Sequence, residues 1–151
     1  MTGIRIFQIE FGTPEYDETV RLRDEVLRKP LGLSFTAEQL AAEYDSLHLI
    51  ATDLVGRLIA CLILVPVSES AIKMRQVAVR PDLQGRGVGT ALVQAAEALA
   101  ADGGFREMVL HARETATEFY RKLDYLTAGE RFEEVGIPHY KMRKTLPSSA
   151  H

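Results

Sequence analysis

The chain has 151 residues, 46% hydrophobic and 26% charged, with 18 basic against 21 acidic residues and a formal charge of -3. At roughly 100–200 residues per domain this is one domain with one core, and the balanced composition excludes a disordered or fibrous chain. Nothing in the global charge calls for nucleic acid or an anionic membrane as partner, and the longest apolar run, Leu58 to Val67 broken by Pro66, is too short for the ~18–20 residues of a membrane span.

The N-terminal segment Gly3 to Gly12 alternates and carries Glu10 where a secretory signal would be unbroken, so it reads as a strand. Thr13-Pro14 then announces a helix to about Arg28, with Glu15, Asp17 and Glu18 at its positive end. Pro30 and Gly32 stop it, and Thr36 with Gln39 forms a capping-box pattern opening a second helix through about Tyr44. Leu47–Thr52, Leu58–Val65 and Ile72–Val79 read as three strands in an antiparallel meander. Cys61, the single cysteine, lies in the second of these and reads as a buried, inert thiol. One cysteine builds neither a disulfide nor a multi-cysteine metal cage, which suits a reducing cytoplasm, and no metal is expected.

Val88, Ala91, Leu92, Ala95, Ala96 and Leu99 recur at helical spacing and predict a helix that stops at Asp102-Gly103-Gly104. A short strand over Met108–Ala112 follows. Thr115 with Glu118 suggests another capping box and a helix to about Leu123, and two last strands fit Leu126–Phe132 and His139–Lys144. The fold class expected is α/β, a mixed sheet of about seven strands flanked by about four helices. Residues 1–146 are expected as one domain and 147–151 as a flexible tail.

The segment that carries chemistry is Val77-Ala-Val-Arg-Pro-Asp-Leu-Gln-Gly-Arg-Gly-Val-Gly-Thr90. A strand enters a proline turn, and Gly85, Gly87 and Gly89 lead straight into the amphipathic helix. Without Cβ atoms the backbone can bend sharply against a ligand. The first helical N–H groups lack internal partners, so an anion is a natural guest. Lys73, Arg75, Arg80 and Arg86 against the single Asp82 make this stretch locally basic, which favours a phosphate; the same glycines also suit a plain tight connection. The spacing G-x-G-x-G is not the dinucleotide G-x-G-x-x-G, and no Lys followed by Ser or Thr closes a nucleoside triphosphate loop.

Here the sequence resembles the GNAT superfamily of N-acetyltransferases. The resemblance rests on Gln84-Gly-Arg-Gly-Val-Gly89, which fits that family's pyrophosphate signature, on Val77-Ala-Val-Arg-Pro81 before it, and on Ala116-Thr-Glu-Phe-Tyr-Arg-Lys-Leu-Asp-Tyr125 after the next strand. It implies a splayed mixed sheet, opened between Ile72–Val79 and Met108–Ala112, and acetyl-CoA as cosubstrate with coenzyme A as product. It further implies that the backbone of Gly85, Arg86, Gly87, Val88, Gly89 and Thr90, with Gln84, holds the pyrophosphate. The pantetheine arm would lie along Val77, Ala78 and Val79, whose exposed amides it can pair with as an added strand does. The acceptor implied is a primary amine on a small molecule or peptide, with neither nucleic acid nor membrane as partner. A monomer and a homodimer fit the residues equally. A non-catalytic acyl-CoA-binding module is the other reading.

Acetyl transfer to an amine of pKa ~10.4 needs a base for the amine and an acid for the departing thiolate of pKa ~8.5. The resemblance implies Tyr120 as that acid, although Ala116, Phe119, Tyr120 and Leu123 also form one helical face where a tyrosine can be plain core. Candidates for the base are Glu43, Asp45 and His48, then Glu25, Glu69, His111 and His139. Arg21 and Arg23 could bind an acidic acceptor or pair with Asp17, Glu18, Asp24 and Glu25 along the helix. Two positions depart from the family pattern: Asp124 stands where a glycine usually ends the helix, and Arg113 where an asparagine is common.

Overall fold

Capping chemistry places the first helices. In the computed structural model, which describes residues 3–147, strand β1 (Ile4–Ile9) runs into Thr13, whose hydroxyl accepts from the Tyr16 N–H at 3.2 Å and starts α1 (Pro14–Arg23). The chain does not stay α-helical to Arg28 as the sequence suggested. Asp24–Arg28 forms a π-helical turn and Lys29–Leu31 a 3-10 turn, closed by Gly32 at a left-handed φ of 70°. The Thr36–Gln39 capping box forms with both reciprocal bonds and opens α2 (Ala37–Ala41), shorter than expected.

The described residues divide into two compact units, 3–65 with Gln76–Ala96, and Pro66–Arg75 with 97–147. In the first, β2 (Leu47–Asp53) pairs antiparallel with β1, Ile4 opposite Asp53, and with β3 (Leu58–Pro66), Leu47 opposite Leu64. Leu22, Ile50, Cys61 and Ala78 form a buried cluster, with Ile9, Val26, Leu27 and Leu58 packed on it. Each fully buried aliphatic side chain of this kind contributes about 1.5–3 kcal/mol. Strand β4 (Ala71–Val79) contributes its second half here, and the Arg80 N–H donates to the Ile59 carbonyl at 2.9 Å. Gln76 interrupts β4 with a φ of 56°, in the left-handed region that non-glycine residues seldom adopt. Helix α3 (Val88–Asp102) starts in this unit and is anchored by Val88, Leu92, Val93 and Ala96, all buried. It ends as expected at Gly103-Gly104, the latter at φ 91°.

In the second unit the first half of β4 pairs in parallel with β5 (Glu107–Arg113), from Ala71 opposite Glu107 to Met74 opposite Leu110. The register ends there although both strands run on. A 3-10 turn, Glu114–Ala116, delays the next helix, so α4 spans only Thr117–Arg121. The expected Thr115–Glu118 box does not form: Ala116 holds the capping position, and Thr117 Oγ1 donates to the Glu114 carbonyl at 2.9 Å instead. The single strand expected over Leu126–Phe132 is two short ones, β6 (Leu126–Thr127) and β7 (Phe132–Glu134), separated by a bend at Gly129 with φ 90°. Both pair antiparallel with β8 (Ile137–Thr145), which also pairs antiparallel with β5. Among the described residues there are eight strands, against about seven expected, and four α-helices, in the expected mixed α/β fold. Of the expected tail, residues 148–151 lie outside the described residues. No helix among the described residues is long and apolar enough to cross a membrane.

Candidate functional site

The glycine-rich turn has the conformation its composition predicts. Gly85 and Gly87 adopt φ values of 78° and 85°, and a Cβ added at Gly85 would meet nothing within 4 Å. These left-handed residues are open to a close-approaching ligand, and a side chain there would be strained. The first helical bond is the Ala91 N–H to the Gly87 carbonyl at 3.1 Å, so the amides from Gly85 to Thr90 precede the ladder. Gln84 ties the turn back to the strand, its Nε2 donating to the Val79 carbonyl at 3.1 Å. Arg86 is exposed and forms no ion pair among the described residues, whereas Val88 is 1% exposed and anchors the helix start. Val77 and Val79 are half-buried and Ala78 is buried. All ten residues expected to hold a cofactor thus fall in one unit, on a strand end, a turn and a helix start.

A cavity of about 760 Å³ in the same unit opens beside the Arg80–Asp82 turn, lined by Glu18, Arg21, Leu22, Glu25 and Arg57 among others. Glu25, a candidate base, faces it together with two guanidinium-bearing residues of its own wall, Arg21 and Arg57. Arg80 is engaged with Asp82 at 2.8 Å and Arg57 with Asp53 at 2.8 Å.

Tyr120 lies in the other unit, on α4, with its ring stacked edge-on against Phe119 at 5.0 Å and Tyr125 at 5.6 Å. It is 7% exposed, and burial pushes its phenol above the ordinary range. The hydroxyl makes no hydrogen bond among the described residues, so it keeps its proton at neutral pH without a fixed partner. Tyr125 differs: its hydroxyl donates to Glu97 at 2.8 Å, and Lys144 donates to the same carboxylate at 2.9 Å. Asp124 takes the left-handed conformation expected of a glycine, at φ 73°, and the Tyr125 N–H donates to the Tyr120 carbonyl at 3.0 Å.

The candidate bases separate sharply. Glu43 accepts both terminal nitrogens of Arg23 at 2.9 Å and the Tyr16 hydroxyl at 2.7 Å. Burial alone would raise its carboxyl; the Arg23 guanidinium outweighs that and, with Tyr16, holds it below the ordinary range. A carboxylate so engaged is a poor proton acceptor. Arg23, expected on the surface beside its helical neighbours, is 0% exposed and lies over the rings of Phe35 and Tyr16. The expectation of a surface ion pair fails here, because α1 turns this position inward, where it pairs with Glu43 on the segment after α2. Tyr16 is pushed up to about 12, first by burial and then by Glu43. His48 is 2% exposed, its Nε2 sits 3.0 Å from the Glu43 carbonyl oxygen, and burial lowers its pKa. Asp45 and Glu69 are exposed. His139 is buried with Nδ1 2.9 Å from the Ile137 carbonyl oxygen, while His111 is half-buried with Nδ1 2.9 Å from Glu134. The Arg23–Glu43–Tyr16 network and the His111–Glu134 contact have no sequence signature, since each joins residues far apart in the chain.

Comparison with known proteins agrees with this geometry. The family model described as an acetyltransferase (GNAT) domain matches residues 28–146. The chain is 37% identical over 73 residues to YjcF, an uncharacterized N-acetyltransferase of Bacillus subtilis, covering 48% of this chain and 52% of that protein, about half its length. Among solved structures, an aminoglycoside 6'-N-acetyltransferase complexed with coenzyme A superposes with a TM-score of 0.79 at 17% identity, covering 97% of this chain and 99% of the other. A GNAT family acetyltransferase from Elizabethkingia anophelis with acetyl-CoA bound gives a TM-score of 0.74 at 19% identity, with 97% and 100% covered. At these identities the structural likeness is one of fold. The match to the family model over most of the sequence, together with the left-handed glycine turn opening α3, establishes that this chain belongs to the GNAT acetyltransferase family.

Proposed function

We propose that the protein is an acetyl-CoA-dependent N-acetyltransferase that passes the acetyl group directly to a primary amine within a ternary complex. The observation that carries this reading is the turn at Gly85–Gly87, where two left-handed glycines present main-chain amides ahead of the first helical bond. That arrangement fits a diphosphate, whose oxygens accept N–H bonds at a positively polarised helix start. Solved relatives of the same fold contain coenzyme A or acetyl-CoA.

The amine must first lose a proton to solvent. Its lone pair then attacks the thioester carbonyl, an N–C bond forms, the C–S bond breaks, the nitrogen gives up a second proton to solvent, and the thiolate takes a proton. Tyr120 supplies that proton: its buried phenol stays protonated at neutral pH and its hydroxyl has no competing partner among the described residues. Donation is uphill toward a free thiol of pKa ~8.5 and becomes easier as charge collects on sulfur. A main-chain N–H of the Gln76–Val79 stretch, where the left-handed Gln76 breaks the regular ladder, polarises the carbonyl. Direct transfer is supported by Cys61, which is 1% exposed with its thiol pushed up to about 12 by burial, leaving no thiolate to carry an acyl group.

The test is calorimetric titration with acetyl-CoA followed by a coenzyme A release assay over a panel of amines. Uptake with amine-dependent release is expected. Absence of acetyl-CoA uptake would sink the proposal.

A further inference from the structure

The β4–β5–β8 face of the second unit is unusually cationic for a chain of net charge -3. Register partners in a sheet point to the same side. Lys73 opposite Val109, Val109 opposite Arg143, and His111 opposite Lys141 therefore share one face, which Arg75 joins two residues after Lys73. Arg75, Lys141 and Arg143 are exposed and Lys73 is half-buried. None of these four cations forms an ion pair among the described residues, whereas Arg121, Arg131 and Lys144 of the same unit each do.

Two carboxylates share this face among the described residues: Glu107, two residues before Val109 on β5 and opposite Ala71 and Thr145, and Glu134, which is already engaged. Glu134 Oε1 is 2.9 Å from His111 Nδ1, and its Oε2 is 3.7 Å from His139 Nε2. Burial tends to raise the Glu134 carboxyl, but the bond from His111 outweighs it and holds the group low, so it accepts and Nδ1 carries the proton. Lys73 Nζ, 3.3 Å from that same nitrogen, is then left facing an N–H rather than a lone pair. Burial first, then Arg75, lowers the Lys73 pKa; Glu134 opposes this and Lys141 adds to it, and the net direction is down. Cations that outnumber the carboxylates on a sheet face destabilise it by their repulsion, which a bound anion relieves.

We propose that this face of the second unit binds the carboxylate or phosphate of a small amine, and that amines of this class are the preferred substrate. This rests on the acetyltransferase reading and narrows it. The footprint suits a small ligand: three strands spaced ~4.8 Å apart span about 10 Å, which matches one or two anionic groups rather than the repeating phosphates of a duplex.

The experiment has two arms, both on the full chain saturated with coenzyme A or acetyl-CoA so that the glycine turn is blocked to other anions. Phosphoethanolamine and L-glutamate are compared with their uncharged counterparts ethanolamine and L-glutamine, and with spermidine, in the release assay. The same compounds are titrated by calorimetry into the coenzyme A-loaded protein and into Arg75→Gln and Lys141→Gln variants, whose thermal melts control for folding. The expected result is turnover or uptake of at least one anionic amine about tenfold or more above its uncharged counterpart, and a loss of about tenfold in each variant, the size of a charge-assisted bond. Glutamate against phosphoethanolamine separates a carboxylate from a phosphate subsite. Equal use of uncharged amines, a preference for spermidine, no uptake of any anionic amine, or retention of nucleic acid in their place overturns the proposal. Failure to bind acetyl-CoA at the outset overturns instead the reading on which it rests, and titration of the same compounds into the unloaded protein and its Arg75→Gln and Lys141→Gln variants then decides the anion site.

Discussion

Replacing Glu43 with Gln separates a structural carboxylate from a catalytic one. The pair is fully enclosed: Arg23 is 0% exposed, meets Glu43 through two bonds of 2.9 Å, and its Nε has no partner. Removing the counter-charge leaves a guanidinium buried and uncompensated, which costs about 3–5 kcal/mol. For a chain of 151 residues each kcal/mol moves Tm by about 2–4 °C, so Glu43→Gln should melt roughly 6–20 °C below the parent at pH 7. Differential scanning calorimetry measures this. Because the folded Glu43 carboxyl lies below its unfolded value, the pair's contribution is complete above the ordinary glutamate pKa of ~4.3 and fades as pH falls through the folded value. The parent should therefore lose stability faster than Glu43→Gln as the solution is acidified below that point. The double variant Arg23→Met/Glu43→Leu should recover much of the loss, since it buries neither charge. A drop of about 1 kcal/mol or less, the value of an exposed pair, with additive single substitutions, would refute the reasoning.

Tyr120→Phe removes the free hydroxyl and keeps the edge-on ring packing, so kcat should fall by about 100-fold or more with acetyl-CoA affinity unchanged by calorimetry. Asp124→Gly relieves a left-handed φ of 73° and should stabilise the fold by up to about 1 kcal/mol, read as a higher Tm. Gly85→Val places a branched side chain at φ 78°; it should destabilise the turn by about 1–2 kcal/mol and abolish measurable acetyl-CoA uptake, while Gln94→Ala on exposed α3 surface leaves uptake unchanged.

Local chemistry was readable in the sequence wherever it acts over a few residues. The Thr13 and Thr36 caps, the Gly103-Gly104 stop and the left-handed glycines of the turn all follow from neighbours within one helical turn. Asp124 was legible for the same reason, since a short polar residue tolerates the conformation a glycine would supply. The misreadings arise where tertiary packing overrides local preference. Asp24–Arg28 has helical composition yet widens to a π turn, and the Thr115 box gives way to a 3-10 turn. Gln76 carries no hint of its positive φ, because glutamine at that point reads as an ordinary strand residue. At the candidate site, the basic residues of the β4–β5–β8 face are scattered from Lys73 to Arg143 and become neighbours only through the strand register.

The sealed position of Cys61 bears on how such a protein withstands oxidation. A protein that released a free thiol in each cycle would be exposed, once that thiol had been oxidised to its disulfide, to mixed-disulfide exchange at any protein sulfur that is accessible and ionised. Here the sole sulfhydryl is enclosed by β3 and its neighbours and stays protonated. Peroxide or oxidised coenzyme should consequently leave Cys61 of the native chain unmodified, and adducts at this thiol should accumulate only on molecules that have already unfolded.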